Sequence, residues 1–235
     1  MKKERRIRKF FVMGVALTLL VTLFVSSAVT AAPREVTKPE KKVIQVSNPE
    51  AYARQMGLKP PSPNAKLVGI TLVIDGSIST DLSVVQAPNS VTKPAPSKSS
   101  VISPQALTGY YYLYNVRDTG NTCGLSKIGD SYYPGPCTAT MTVSSDVSAT
   151  WSANVGVSAE VVSAGVGFTV TNRYGVSDSY GVSVPSGQTY EIIAHPVYDN
   201  KSYDVMWHPY IGWESYAGSG NAAKPIGVCF VQYSV

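Results

Sequence analysis

The residues of this chain that could do chemistry are few: two histidines and three cysteines. His195 stands in AHPVYD and His208 in MWHPY, and the proline after each histidine favours an extended backbone. A pairing of His208 with Asp204 and a serine would be the chemistry of a hydrolase. The chain has no G-x-S-x-G, H-E-x-x-H, P-loop or G-x-G-x-x-G motif. The sequence therefore predicts no catalytic residue, and a hydrolase is the least favoured of three functions.

The cysteines indicate a disulfide rather than a metal site. Cys123 and Cys137 are predicted to pair around GLSKIGDSYYPGP, and closing a loop of this length stabilises a fold by about 3 kcal/mol. Cys229, in the strand-like run IGVCFVQY, would then be a buried thiol, but it could pair with either of the others instead. Because no C-x-x-C occurs and neither histidine is near a cysteine in sequence, no metal and no cofactor is predicted.

The N-terminal segment, 1–31, has the composition of a secretory signal peptide. MKKERRIRKF holds six basic residues, an uncharged apolar run follows, and small residues before the cleavage site near Ala31 complete the pattern. The alternative is a membrane anchor, since the run approaches the ~20 residues needed to span a bilayer. Residues 32–235 hold fourteen basic and fourteen acidic residues, so the exported chain is neutral. We therefore expect a secreted, extracellular protein with no nucleic-acid partner.

The region between the signal and residue 105 is predicted to be a small segment and a linker. Residues 32–86 form the segment: SNPEAYARQMGL predicts a helix over 49–56, and alternating apolar residues around Asp75-Gly76 predict a β-hairpin over 66–85. Residues 87–105, rich in Pro, Ser and Lys, read as a linker. Whether residues 32–105 are a removable pro-segment is left open.

Residues 106–235 are predicted to form an all-β domain. YYYLYNVRD and PIGVCFVQYSV are strand candidates, and Tyr190–Tyr198 and Ser202–Trp207 are predicted to pair as a hairpin with its turn at Asp199-Asn200. Helical periodicity is absent from 107 onward. The expected fold is an elongated antiparallel sheet or sandwich with a long amphipathic hairpin, preceded by the helix-plus-hairpin segment and the linker.

The amphipathic hairpin is predicted from a long alternation. In Met141–Val161 ten of the eleven odd positions are apolar, and in Val162–Val184 ten of the twelve even positions are, all but Asn172 and Asp178. A turn at Val162–Gly165 would put both apolar sets on one side of the hairpin. Such a hairpin is either half of a sandwich or an element that inserts into a membrane. The membrane-hairpin candidates are Ala153, Val155, Val157, Ala159, Val161, Val166, Phe168 and Val170.

Aromatic residues are the second signal of function. Tyrosines cluster at 110–114 and 132–133, where the simplest explanation is cross-strand packing. The segment MWHPYIGWESY is rich in Pro, Gly and aromatic residues, which favours an exposed binding loop. Its surface-binding candidates are Trp207, Tyr210, Trp213 and Tyr216.

The stretch from about 139 to 207 resembles the pore-forming module of aerolysin-like toxins, of the epsilon-toxin and mosquitocidal-toxin type. The resemblance is carried by the Ser/Thr-rich amphipathic hairpin and the VPSGQTYEI strand that follows it. It implies receptor binding, homo-oligomerisation and membrane insertion. The stretch also resembles small uncharacterised secreted proteins of Gram-positive bacteria, which imply no activity. The alternative is an extracellular, non-enzymatic module that binds a cell-wall glycan or a protein through its Tyr/Trp loops.

Overall fold

The computed structural model describes residues 40–76 and 109–235, and this part of the chain is mostly β. The predicted signal peptide, the linker at 87–105 and residues 77–85 of the predicted hairpin lie outside it. Its strands are β1 (Lys41–Gln45), β2 (Lys66–Asp75), β3 (Gly109–Cys123), β4 (Gly129–Pro134), β5 (Cys137–Ser148), β6 (Thr150–Ala153), β7 (Arg173–Val184), β8 (Thr189–Pro209) and β9 (Ser215–Ser234). Its helices are α1 (Pro49–Met56) and α2 (Ala159–Val166). The predicted all-β class is confirmed.

The described strands form one large antiparallel sheet and one two-stranded ribbon. The large sheet has the order β1-β2-β9-β8-β3, with β4 also on β8 and β6 also on β9. Strands β8 and β9 pair along almost their whole length, from Tyr190 opposite Ser234 to Trp207 opposite Ser215. This long hairpin is the central element of the sheet, and its turn lies at one end of the sheet.

Helix α1 forms where the sequence predicts it. The Asn48 side chain accepts a hydrogen bond from the Ala51 amide at 3.0 Å, and Gly57 ends the helix with φ +73°. Tyr52 and Ala53 are buried against one face of the large sheet. The helix is therefore fixed by its two caps and by one apolar stripe on the sheet.

Strand β2 has neighbours on both of its edges. It pairs with β1 along Thr71–Asp75 and with β9 along Lys66–Ile74. β1 contains Val43 and Ile44, β-branched residues that suit a strand. The predicted partner strand of the hairpin, residues 77–85, lies outside the described residues, so the hairpin over 66–85 stays a prediction.

The ribbon of β5 and β7 confirms the predicted amphipathic hairpin in its outer parts. Its register runs from Cys137 opposite Val184 to Ser148 opposite Arg173, so odd residues of β5 face even residues of β7. Both apolar sets consequently lie on one side. They pack on the opposite face of the large sheet from α1, because Ile192 belongs to the apolar cluster of the ribbon and Ile193 belongs to the cluster of α1.

The middle of the alternating stretch does not form the predicted hairpin tip. The turn expected at Val162–Gly165 is wrong, because these residues lie in α2. Ser158 caps this helix by accepting a hydrogen bond from the Val161 amide at 3.4 Å, and Gly167 ends it with φ +80°. Strand β6 is not part of the ribbon but pairs with β9. The segment between β5 and β7 therefore packs on β8 and β9 of the large sheet instead of extending the ribbon.

Strand β8 continues through the segment that the sequence predicted to be a turn. The turn at Asp199-Asn200 is wrong, because β8 runs unbroken from Thr189 to Pro209. The Asn200 side-chain amide donates to the Gly120 carbonyl and to Thr122 Oγ1, both at 2.9 Å. A residue typical of turns is used here to join two strands.

The disulfide joins cysteines that are distant in sequence. Cys123 at the end of β3 is bonded to Cys229 in β9, and Cys137 is a free thiol. The predicted Cys123–Cys137 pair is therefore wrong, and the open alternative for Cys229 is the one that forms. Cys123 is buried in the core under α1, whereas Cys137 begins the ribbon.

Candidate functional site: an aromatic hairpin tip

The turn of the β8–β9 hairpin carries exposed apolar side chains. We call residues 207–216 the aromatic tip. Ile211 and Trp213 are each 94% exposed, and Tyr210 and Tyr216 are 64% and 62% exposed. Side chains this exposed contribute almost nothing to the packing of the fold. They are therefore free to be buried against something else.

Strand β3 begins beside the tip and supports it. The ring of Trp207, which is half-buried, lies 4.8 Å from the ring of Tyr111. The ring of Tyr110 lies 4.8 Å from that of His208. Tyr110 is 50% exposed and Tyr114 is 60% exposed, so the aromatic surface of the tip continues onto β3. All four predicted surface-binding candidates thus belong to one end of the sheet.

A small polar network holds the base of the tip. Glu214 Oε1 is 2.6 Å from His208 Nδ1, and Tyr112 donates its hydroxyl to Glu214 Oε2 at 2.8 Å. The hydrogen bonds from His208 and then from Tyr112 lower the pKa of Glu214 below its usual value. Gly212, with φ +117°, adopts a backbone conformation that favours glycine. The tip is therefore a defined loop with its acidic group already engaged.

The tip has little charge of its own. The sequence has no lysine or arginine between Ser202 and Ala223. The carboxylate of Asp204 accepts a hydrogen bond from Asn115 at 2.9 Å and lies 3.6 Å from the Arg117 guanidinium. The tip therefore has no lysine or arginine side chains that would attract anionic groups.

The histidines do not form the pairing that a hydrolase would need. His208 contacts Glu214, whereas the Asp204 carboxylate contacts Asn115 and Arg117. His195 Nδ1 lies 3.2 Å from the Ser126 carbonyl, and burial lowers the pKa of His195. The structure thus gives His208 and Asp204 different partners.

The membrane-hairpin candidates do not face each other across two strands. They occupy the end of β6, helix α2 and the loops beside it, and they pack with Tyr203, Val205 and Ala222. Val157 and Val170 are buried in this cluster. The structure distributes the candidates as Ala153 in β6, Val155 and Val157 before α2, Ala159, Val161 and Val166 in α2, and Phe168 and Val170 after it.

The outer face of the ribbon is the second surface of interest. It consists of Ser, Thr and Gly with few charges, and Thr142 Oγ1 and Ser179 Oγ are 3.0 Å apart across the strands. The inner face holds one carboxylate, Asp178, whose side chain is 1% exposed and lies 2.8 Å from Lys41 Nζ of β1. Asp178 is one of the two exceptions in the alternation, and this ion pair joins the ribbon to the large sheet.

Metal binding and membrane-spanning helices find no support within residues 40–76 and 109–235. No group of three or more His, Cys, Asp or Glu side chains in these ranges is arranged to hold a metal ion. No helix in the same ranges has the length and apolar character required to cross a membrane.

Two residues of the tip, Ile211 and Glu214, are not among the residues predicted from the sequence. Ile211 has no ring, so a pattern of aromatic residues does not include it, although it lies in an apolar loop next to a glycine. Glu214 stabilises the base of the tip through its contacts with Tyr112 of β3 and His208 of β8. Nothing in the sequence indicates the contact between Glu214 and Tyr112, which are 102 residues apart.

The fold and the tip define an all-β protein with an exposed aromatic hairpin turn. No protein-family model matches the chain, and no curated protein matches it. Among solved structures the chain is similar to that of parasporin-2, a Bacillus thuringiensis toxin that recognizes cancer cells. The identity is 15%, the match covers 55% of this chain and 69% of that chain, and the TM-score is 0.24. No conclusion about function rests on a TM-score of this size, and the aerolysin-like resemblance stays a prediction.

Proposed function

We propose that this chain is an exported, non-catalytic protein that attaches to a cell surface through the aromatic tip. The single observation that carries the proposal is the 94% exposure of both Ile211 and Trp213 at the turn of one hairpin. Export is supported by the signal-like composition of the N-terminal segment, 1–31, and by the Cys123–Cys229 disulfide, a bond that persists in oxidising compartments.

The energetic reason is the cost of leaving large apolar side chains in water. Burying a side chain of this size is worth about 1.5–3 kcal/mol, so two of them on one loop supply about 3–6 kcal/mol. Micromolar attachment needs about 8 kcal/mol, so the neighbouring tyrosines would have to contribute the remaining ~2–5 kcal/mol. The fold gains nothing from this exposure. Exposed apolar residues grouped in this way are typical of interaction sites.

The test compares binding of the purified protein to intact bacterial and animal cells, isolated cell wall and lipid vesicles. We expect Trp213→Ala to lower binding to at least one of these surfaces about tenfold or more. Leu125→Ala is the matched control, because Leu125 is also an exposed apolar residue, at 64%, and lies away from the tip. The proposal fails if Trp213→Ala binds every surface as the unmodified protein does, or if Leu125→Ala weakens binding as much as Trp213→Ala does.

A second candidate function, pore formation, is favoured by the ribbon. Each arm has 12 residues with alternating buried and exposed side chains, which is enough for a membrane-crossing strand of about 9–11 residues. The ribbon is a sheet of its own within the described chain. Homo-oligomers would be needed to line a pore with such ribbons. This candidate uses β5 and β7 as the membrane-crossing strands, in place of the membrane-hairpin candidates predicted from the sequence, which lie in and around α2.

Planar-bilayer recordings test the second candidate. If the hydroxyl face of the ribbon lines a pore, Ser177→Lys should shift the permeability towards anions without changing the number of channels formed. Leu125→Lys introduces the same charge outside the ribbon and should leave the selectivity unchanged. Absence of conductance steps at any protein concentration, or identical selectivity in both variants, would contradict pore formation by the ribbon.

A further inference from the structure

We infer that the surface bound by the aromatic tip is the interface of an electrically neutral lipid bilayer. This inference rests on the proposed function and names the partner of the same site. In it, Ile211 and Trp213 enter the boundary between headgroups and acyl chains, while Tyr210 and Tyr216 lie at headgroup depth.

The shape and chemistry of the tip favour a bilayer over a glycan. Tyr210 through Tyr216 are all exposed, so the tip is convex and would not enclose a sugar as a concave site does. A glycan also needs polar groups to bond its hydroxyls, but the Glu214 carboxylate is engaged by His208 and Tyr112. A bilayer is soft and requires no pocket.

The side-chain types also match the layers of a bilayer interface. Ile211 has no polar atom, so it gains most from hydrocarbon, which neither a glycan nor a wet protein surface offers. Tryptophan and tyrosine have an apolar ring with a polar edge, and both are enriched at membrane–water interfaces. The order Tyr210-Ile211-Gly212-Trp213 places the most apolar side chains in the turn.

The charge of the tip selects the kind of lipid. Proteins that bind anionic lipids use clusters of lysine and arginine. The sequence has none between Ser202 and Ala223, and Glu214 is acidic. Binding is therefore driven by apolar burial, and we expect it to be insensitive to salt and to need no anionic lipid.

The structure of the tip limits how deeply it enters. A hairpin turn has backbone groups without partners in the sheet, and each would be costly in the hydrocarbon core. The tip therefore sits at the interface, about 5–10 Å deep, as amphipathic surface elements do. The polar network of Glu214 keeps the loop formed beforehand, so little conformational entropy is lost on binding.

The experiment measures co-sedimentation of the full purified protein with vesicles of phosphatidylcholine alone and of phosphatidylcholine mixed with phosphatidylserine, at low and high salt. We expect binding to phosphatidylcholine alone, changed less than about twofold by phosphatidylserine or by salt. Ile211→Ser and Trp213→Ala should each weaken it about tenfold or more, and Leu125→Ala should not. Circular dichroism confirms that each variant is folded, as expected for substitutions at side chains 94% and 64% exposed.

The alternatives give different results. If the protein binds cell wall, soluble glycans or a cell-surface protein in a Trp213-dependent way but does not bind vesicles, the lipid inference is wrong and the proposed function stands. If vesicle binding requires anionic lipid or disappears at high salt, the neutral-interface inference is wrong. If no surface is bound, or Trp213→Ala changes nothing, both are wrong.

Discussion

Removing the Cys123–Cys229 disulfide should destabilise the protein more than removing a disulfide across the short loop between Cys123 and Cys137 would. The bond closes a loop with a sequence separation of 106 residues. The chain-entropy model gives about 4.7 kcal/mol for a loop of this size, compared with about 3 kcal/mol for the loop between Cys123 and Cys137. Both bonded cysteines are buried, at 4% and 0% exposure, so Cys→Ala at these positions adds a small packing loss.

Urea denaturation of the double variant Cys123→Ala/Cys229→Ala measures this difference. With a slope of about 2 kcal/mol per molar urea, we expect the midpoint to fall by about 2 M. Cys137→Ala is the matched control and should leave the midpoint within about 0.5 M, because Cys137 is a free thiol. A non-reducing peptide map that links Cys123 to Cys137, or a Cys137→Ala variant as unstable as the double variant, would refute this reasoning.

Three further predictions concern the ribbon, α2 and the tip. Lys41→Met removes the cation 2.8 Å from the buried Asp178 and should lower the free energy of unfolding by about 1–3 kcal/mol in urea titrations. Gly165→Ala should destabilise by about 1–2 kcal/mol in the same assay despite the helix propensity of alanine, because the new Cβ would lie 2.5–2.7 Å from Leu113 side-chain atoms. Because the pKa of Glu214 is lowered in the folded protein, its carboxylate stabilises the tip fully above about pH 4.5, and this stabilisation is lost as the pH falls through the lowered pKa. Tryptophan fluorescence should change in that acid range. Glu214→Gln should abolish the change.

Much of the fold could be predicted because its signals are local. Asn48 and Gly57 bound α1 through their own backbone and side-chain preferences. The alternation in β5 and β7 reports which face of each strand is buried, and it does so one strand at a time. The tip could likewise be predicted as an exposed loop, since Pro, Gly and aromatic residues are concentrated in a few positions.

Helix α2 was missed because two periods coincide on the same residues. Val162 and Val166 are both even-numbered, as one face of a strand requires, and are also four apart, as a helix face requires. Both are buried, at 0% and 5% exposure. The deciding signals were Ser158 and Gly167, a helix cap and a helix terminator, which alternation alone does not weigh.

The pairings that the sequence does not determine are long-range. Cys123 is bonded across 106 residues, a pairing that the sequence left open, and the contact of Tyr112 with Glu214, which spans 102 residues, is not indicated by the sequence. A short loop between two cysteines is the simplest guess, but a strand order in which β3 and β9 flank β8 brings distant residues together. Such contacts depend on topology, which no single segment determines.

The two proposed functions are physically separable, because the tip and the ribbon are coupled to the fold to different degrees. Trp213 is 94% exposed, so its removal alters only the proposed binding site and leaves the core intact. The ribbon packs its inner face on the large sheet, whereas Ser177 on its outer face is exposed. A tip variant should therefore lower the number of molecules attached while leaving the selectivity of any channel unchanged. A Ser177 variant should do the reverse, so a protein that showed both effects would attach with one element and conduct with the other.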